Sequence, residues 1–221
     1  MQGEEYMTNA VHENDYLKIP WELFHNEKYK NLNSEAKIIY ALLLDYVDKA
    51  GLYYQTLSTD EKGDKYLILP QQNIVKAITG TMGTIDITDK TTADAFRQLE
   101  ETGLIEPLHE INFPNLVRVR YLGDCGKKKW KNNWLEKASM IFNYSFPFSV
   151  HTIVIYFFLC SRADSDGQVS ESYSTIAKKC KISRNTVIRA INELKIAGLI
   201  SVEQRKGEDG GVTTNLYRIH T

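Results

Sequence analysis

Two stretches of this chain, 95 residues apart, are built alike. Phe96 to Glu106 reads FRQLEETGLIE, and Ile191 to Ser201 reads INELKIAGLIS. Leu99, Gly103, Leu104 and Ile105 align with Leu194, Gly198, Leu199 and Ile200. In each copy, apolar residues at helical spacing run into a glycine, which ends a helix because it takes the left-handed conformation without a Cβ penalty. Each copy is then followed by a predicted hairpin. An internal repeat of this kind constrains the fold more than composition does: it asks for two copies of one small unit. A length of 221 residues accommodates them.

A pass along the chain fills in the unit. Asn33 to Ala50 is predicted to be a helix capped by Ser34, with Ile38, Ile39, Leu42, Leu43, Tyr46 and Val47 on a wide apolar face. A polar insert from Thr56 to Asp64 precedes a short strand at Tyr66–Leu69. Gln72 to Thr79 reads as a short helix and Gly80 to Thr88 as a loop. Asp89 to Thr102 is predicted helical, with Ala93, Phe96 and Leu99 inward. Leu104–Ile111, a turn at Asn112–Asn115 and Leu116–Leu122 form a predicted hairpin. There Val117-Arg-Val-Arg-Tyr121 alternates with period two.

The second half repeats this plan. Val150–Cys160 is an apolar helix and Asp164–Gly167 a turn. Ser174–Lys179 is a short serine-capped helix, and Ser183–Ala197 a longer one stopped by Gly198. Ile200–Arg205 and Thr214–Ile219 form a hairpin around Gly207–Gly211. The expected fold is therefore mainly α with small β-hairpin wings (α+β), as two tandem winged helix-turn-helix domains. The expected division is a tail at 1–15, domain 1 at 16–122, a basic linker at 123–142 and domain 2 at 143–221.

Charge is uneven along the chain. Residues 1–126 hold 12 Lys+Arg against 20 Asp+Glu, residues 127–142 hold 5 against 1, and residues 143–221 hold 10 against 7. The overall charge of −1 hides this contrast. Residues 172–206 alone carry 8 basic and 2 acidic side chains.

A helix fits the DNA major groove, and a wing reaches backbone or minor groove. In the second unit Ile176 and Ala177 are expected inward, Cys180-Lys-Ile182 makes the tight turn, and Ser183 caps the recognition helix. Val187, Ile188, Ile191 and Leu194 face the core. Asn185, Arg189 and Asn192 share the opposite face, with Arg184 and Thr186 in the first turn. Arginine pairs with guanine and asparagine with adenine. Lys178, Lys179 and Lys181 are placed to neutralise phosphates, with Arg205 and Lys206 at the wing tip. A basic face serving a protein partner is the alternative reading.

The first unit is poorer in cations. Residues 81–106 hold Lys90 and Arg97 against six acids. Lys90, Thr91 and Thr92 at the helix start, and Arg118 and Arg120 on the wing, are its candidate DNA contacts; a dimerisation or scaffold role is equally open. Lys127, Lys128 and Lys129, beside Trp130 and Lys131, either track a phosphate backbone or solubilise a linker.

The entry to the first unit is more specific. Tyr16-Leu-Lys-Ile-Pro-Trp-Glu-Leu-Phe24, Lys28-Tyr-Lys-Asn-Leu32 and Ser34 to Asp45 resemble the N-terminal domain of the plasmid replication initiator A family of Gram-positive bacteria. Arg97-Gln-Leu-Glu-Glu-Thr-Gly-Leu-Ile105 echoes the family's closing pattern. The resemblance covers about residues 16 to 122. It implies a plasmid-encoded protein that binds repeated origin sites, often as a homodimer, and recruits host replication proteins. The loop at Gly80–Thr88 is longer than the usual turn. The second half looks like an ordinary winged helix of the GntR or MarR sort, in its Ser183–Val187 pattern.

No catalytic constellation is visible. The five histidines are scattered without HxH or HExxH spacing, and no GxxxxGK[ST] loop is present. Cys125, Cys160 and Cys180 have neither disulfide-framework nor zinc spacing, and Cys160 and Cys180 read as packing residues. No cofactor or metal is expected. There is no run of about 18 apolar residues, and the acidic, polar start does not read as a secretory signal. The expectation is a cytoplasmic, non-enzymatic protein that binds double-stranded DNA as a replication initiator. A transcriptional repressor and a protein-interaction scaffold are the alternatives.

Overall fold

A computed structural model describes residues 19–49, 58–70, 89–110, 113–122, 138, 141, 148–206 and 212–220. The predicted tail, the helix at 72–79, the loop at 80–88 and all of the 123–142 linker except residues 138 and 141 lie outside these residues.

The first half starts with α1 (Glu22–His25) and α2 (Ser34–Lys49). Asn33, rather than Ser34, caps α2: its Oδ1 accepts from the Ala36 amide at 2.8 Å. Ser34 is instead buried within the first turn. From Ala36 to Leu44 no residue is more than 6% exposed. A helix buried on every side must be enclosed by other elements. Here α3 (Asp89–Glu101) packs on it, as does α4 (Val150–Arg162) from the second half. Tyr40 adds a hydroxyl bond to the Arg120 carbonyl.

The first sheet consists of β1 (Ser58–Thr59), β2 (Lys65–Pro70), β3 (Ile105–Glu110) and β4 (Phe113–Arg120). Its order is β1-β2-β4-β3 and every pairing is antiparallel. Alternation in β4 buries Val117 and Val119, which meet Leu69 and Leu67 on one side and Pro107 and Ile105 on the other. Strand β4 begins at Phe113, within the predicted turn. In α3 it is Ala95 and Leu99 that are buried. Ala93 is exposed, which corrects the phase expected for that helix.

The second half runs α4, β5 (Gln168–Glu171), α5 (Tyr173–Cys180), α6 (Arg184–Ile196), β6 (Ile200–Lys206) and β7 (Val212–Ile219). Its sheet has the order β5-β7-β6. The predicted hairpin β6–β7 is thus part of a three-stranded sheet and not isolated, because β5 pairs with β7 on its other side. The same holds in the first half: β4 sits between β2 and β3 as β7 sits between β5 and β6.

The repeat read from the sequence survives at the level of single hydrogen bonds. Leu104 N–H donates to Leu99 O at 2.9 Å, and Leu199 N–H to Leu194 O at 2.9 Å. Gly103 donates to Glu100 O at 2.8 Å, and Gly198 to Lys195 O at 3.0 Å. Both glycines have positive φ, 66° and 74°. This is the Schellman closure of a helix, made twice. Arg120 N–H and His220 N–H then return to the carbonyls of Leu104 and Leu199, tying each central strand to its helix end. The described residues form a mixed α/β structure of six helices and two small antiparallel sheets, with one apolar core shared by both halves.

A buried cation sits where the halves meet. Lys37 of α2 is fully covered, and its ammonium donates to the Lys30 carbonyl at 3.3 Å and to that of Leu32. Burial pushes its pKa down to about 8. The charge of Lys181, beyond α5, acts in the same direction.

Candidate nucleic-acid interface

Three serine caps organise the second half. Ser149, Ser172 and Ser183 each accept from the amide three residues on, at 3.2, 3.0 and 3.0 Å. Each serine also bonds to the hydroxyl of a threonine at that position: Thr152, Thr175 and Thr186. The cap of α5 is therefore Ser172 and not Ser174, so the helix begins at Tyr173. The cap expected at Ser183 is present. Between α5 and α6 the chain turns through Lys181, which is left-handed at φ 59°.

Residues Val187, Ala190, Ile191 and Leu194 are buried and seat α6 on α4 and α5. Ile188, expected in the core, is half-buried. Asn185, Arg189 and Asn192 are exposed along the opposite stripe. Arg184 is exposed in the first turn, and its guanidinium lies 5.8 Å from the Tyr173 ring centroid. Glu193, the one acid of α6, accepts from the Thr152 hydroxyl of α4, which draws it toward the core side. Lys178, Lys179 and Lys181 are exposed at the end of α5 and in the turn. Such a surface offers a row of hydrogen-bonding side chains on a capped helix, with exposed lysines on the helix and turn that precede it.

Three of the candidate DNA contacts, Ser183, Thr186 and Arg205, have partners within the chain. The hydroxyls of Ser183 and Thr186 bond to each other in the cap. Arg205 pairs in register with Thr214 and reaches across β7 to Ser170 Oγ at 3.4 Å. Lys206 continues β6, while its side chain and the wing tip lie outside the described residues.

The first half offers less free charge. Arg118 bonds Glu106, its register partner on β3, at 3.0 Å and lies 4.5 Å from the Tyr66 ring centroid. Arg120 pairs with Asp64. On α3, Arg97 is held by Asp94 and by Glu101, the latter at 2.7 Å. Asp94 and Gln98 in turn bond Asn33 at the head of α2. The acids of this helix are thus partly spent on packing it to α2. Thr92 is half-buried. Lys90 and Thr91 lie in α3, but their side chains, like all of Lys127, Lys128 and Lys129, are outside the described residues.

Sequence reasoning missed Tyr173 and Ser170. The paired spacing Ser172-x-x-Thr175, repeated at 149 and 183, would have located the start of α5 and so exposed Tyr173. Nothing in the linear sequence brings Ser170 to Arg205. Cys160 and Cys180 are buried, as expected, and burial raises the Cys180 thiol to about 12. Among the described residues no helix is long and apolar enough to cross a membrane.

Comparison with curated proteins and with solved structures returned no match. Two family models do match. One is a helix-turn-helix domain over residues 149–200, from the cap of α4 to the start of β6. The other is the replication initiator protein A (RepA) N-terminus, over residues 15–129. Together they support a DNA-binding plasmid replication initiator. Because the second model spans just over half of its length, and on the same residues that carried the resemblance, the chain belongs to the replication initiator protein A (RepA) N-terminus family.

Proposed function

We propose that this chain recognises repeated double-stranded DNA sites at a replication origin in a sequence-specific manner. The observation that carries the reading is the exposed row of Asn185, Arg189 and Asn192 on a capped helix, preceded along the chain by the exposed Lys178, Lys179 and Lys181. In this reading α6 enters the major groove, the lysines hold phosphates, and the β6–β7 wing lies along the neighbouring backbone. The first half has the same strand order around its last strand, and it acts as a second winged unit whose surface serves assembly more than base reading. The protein works in the cytoplasm as a homodimer, recruits host replication proteins and does no chemistry of its own.

The test is establishment of a circular DNA that carries this gene, its flanking region and a selectable marker, with no other origin. The wild-type gene should yield clones, and Arg189→Ala should reduce them sharply at equal protein level. Equal numbers of clones from both genes would refute origin recognition through α6. Normal binding to the gene's own promoter, without any clones, would favour a repressor.

A further inference from the structure

Tyr173 and Arg184 occupy matching positions. Each follows a serine cap directly, Tyr173 in α5 and Arg184 in α6. Arg184 stands at the end of the helix where its charge is least welcome, because the amides of the first turn already make that end positive. The first turn of α6 contains no acid to offset it. What the structure provides instead is the face of the Tyr173 ring, 5.8 Å from the guanidinium carbon, within cation–π range. The tyrosine is half-buried and packed on the core, so it is a fixed platform; the arginine is exposed. A long side chain free in water loses rotamer entropy when it docks in a groove. One already held against a ring loses less, and bidentate pairing to guanine depends on where the guanidinium is held.

We propose that Tyr173 is a positioning residue for DNA recognition: it holds Arg184 poised to read a guanine at the head of the recognition helix. This rests on the α6 reading above and adds to it a residue on α5 that sets specificity without touching the base.

The experiment uses the full chain and a duplex carrying its selected site, with a random-sequence duplex as reference. Tyr173→Leu should weaken binding to the selected site about two- to fivefold, within the ordering cost of one long side chain that the ring no longer spares. It should reduce preference for one guanine by the same factor and leave random-sequence binding unchanged. Tyr173→Phe keeps the ring and should behave as wild type. In an Arg184→Ala background, Tyr173→Leu should have no further effect. A loss that persists in that background, an equal loss on random DNA, or a Phe variant as weak as the Leu variant would each overturn the proposal. A guanine preference lost in Arg189→Ala yet unmoved by Tyr173→Leu would overturn it while leaving the α6 reading intact. A wild-type chain without sequence preference would sink both.

Discussion

Lys181→Gly should make the protein more stable and a weaker DNA binder at once. Lys181 closes α5 with φ 59° and ψ 42°, and its amide donates to the Ala177 carbonyl. A residue with a Cβ loses about 1–2 kcal/mol in that conformation. Glycine removes the clash but returns about 0.5–1 kcal/mol through the greater freedom of its unfolded chain. The net expectation is a gain of about 0.5–1 kcal/mol, or about 1–4 °C in Tm for a chain of this size. Loss of the Lys181 charge also relieves the buried Lys37 ammonium, which acts in the same direction. On DNA the variant should surrender one phosphate contact. A plot of log Kobs against log salt should therefore become shallower by about 0.9. Urea unfolding and salt-titrated binding on the same preparations measure both. A less stable variant would refute the strain argument, and an unchanged salt slope would remove Lys181 from the interface.

Three further outcomes follow from the same geometry. Arg189→Ala should lose about 1–3 kcal/mol of affinity and relax the preference at one base pair, whereas Lys179→Ala should weaken binding to all sequences alike; competition binding separates the two. Lys37 has a folded pKa near 8 against an ordinary 10.5, so the folded protein binds fewer protons than the unfolded chain between those values, and stability rises with pH across that window. Relative to Lys37→Met, the wild type should gain about 3 kcal/mol from pH 7.5 to 10.5 in urea unfolding, and parallel profiles would contradict the burial argument. Leu99→Ala and Leu194→Ala, both fully buried at the same place in the repeat, should each lose about 2–5 kcal/mol. A large loss at one and none at the other, by thermal unfolding, would deny their equivalence.

Much of this was legible in the residues because it is local. A leucine, a glycine four residues on and two apolar residues after it specify one way to end a helix, and both copies took it. The capped α6 with its polar stripe was likewise readable from helical spacing. The misreadings came from choices that local pattern leaves open. Ser34 and Ser174 lie near better caps: Asn33 is told from Ser34 only by the completed backbone bond, and Ser172 from Ser174 by the Ser-x-x-Thr spacing that went unread. The strand Gln168–Glu171 contains a single apolar residue, Val169, and exists because β7 pairs with it. Arg118 and Arg120 looked like free wing cations, but their acids arrive from Glu106 on the neighbouring strand and Asp64 in a turn. The junction of the halves was hidden for the opposite reason. Both α2 and α4 are apolar nearly all round, so nothing in either sequence marks which side meets the other.

The most direct test of the central claim is selection of bound duplexes from a random pool. It should be run with the wild-type chain and with Asn185, Arg189 and Asn192 all changed to alanine. The wild type should enrich one short motif, and the triple variant should keep salt-sensitive binding while enriching none. Recovery of the same motif by the variant would show that the α6 stripe does not read the site.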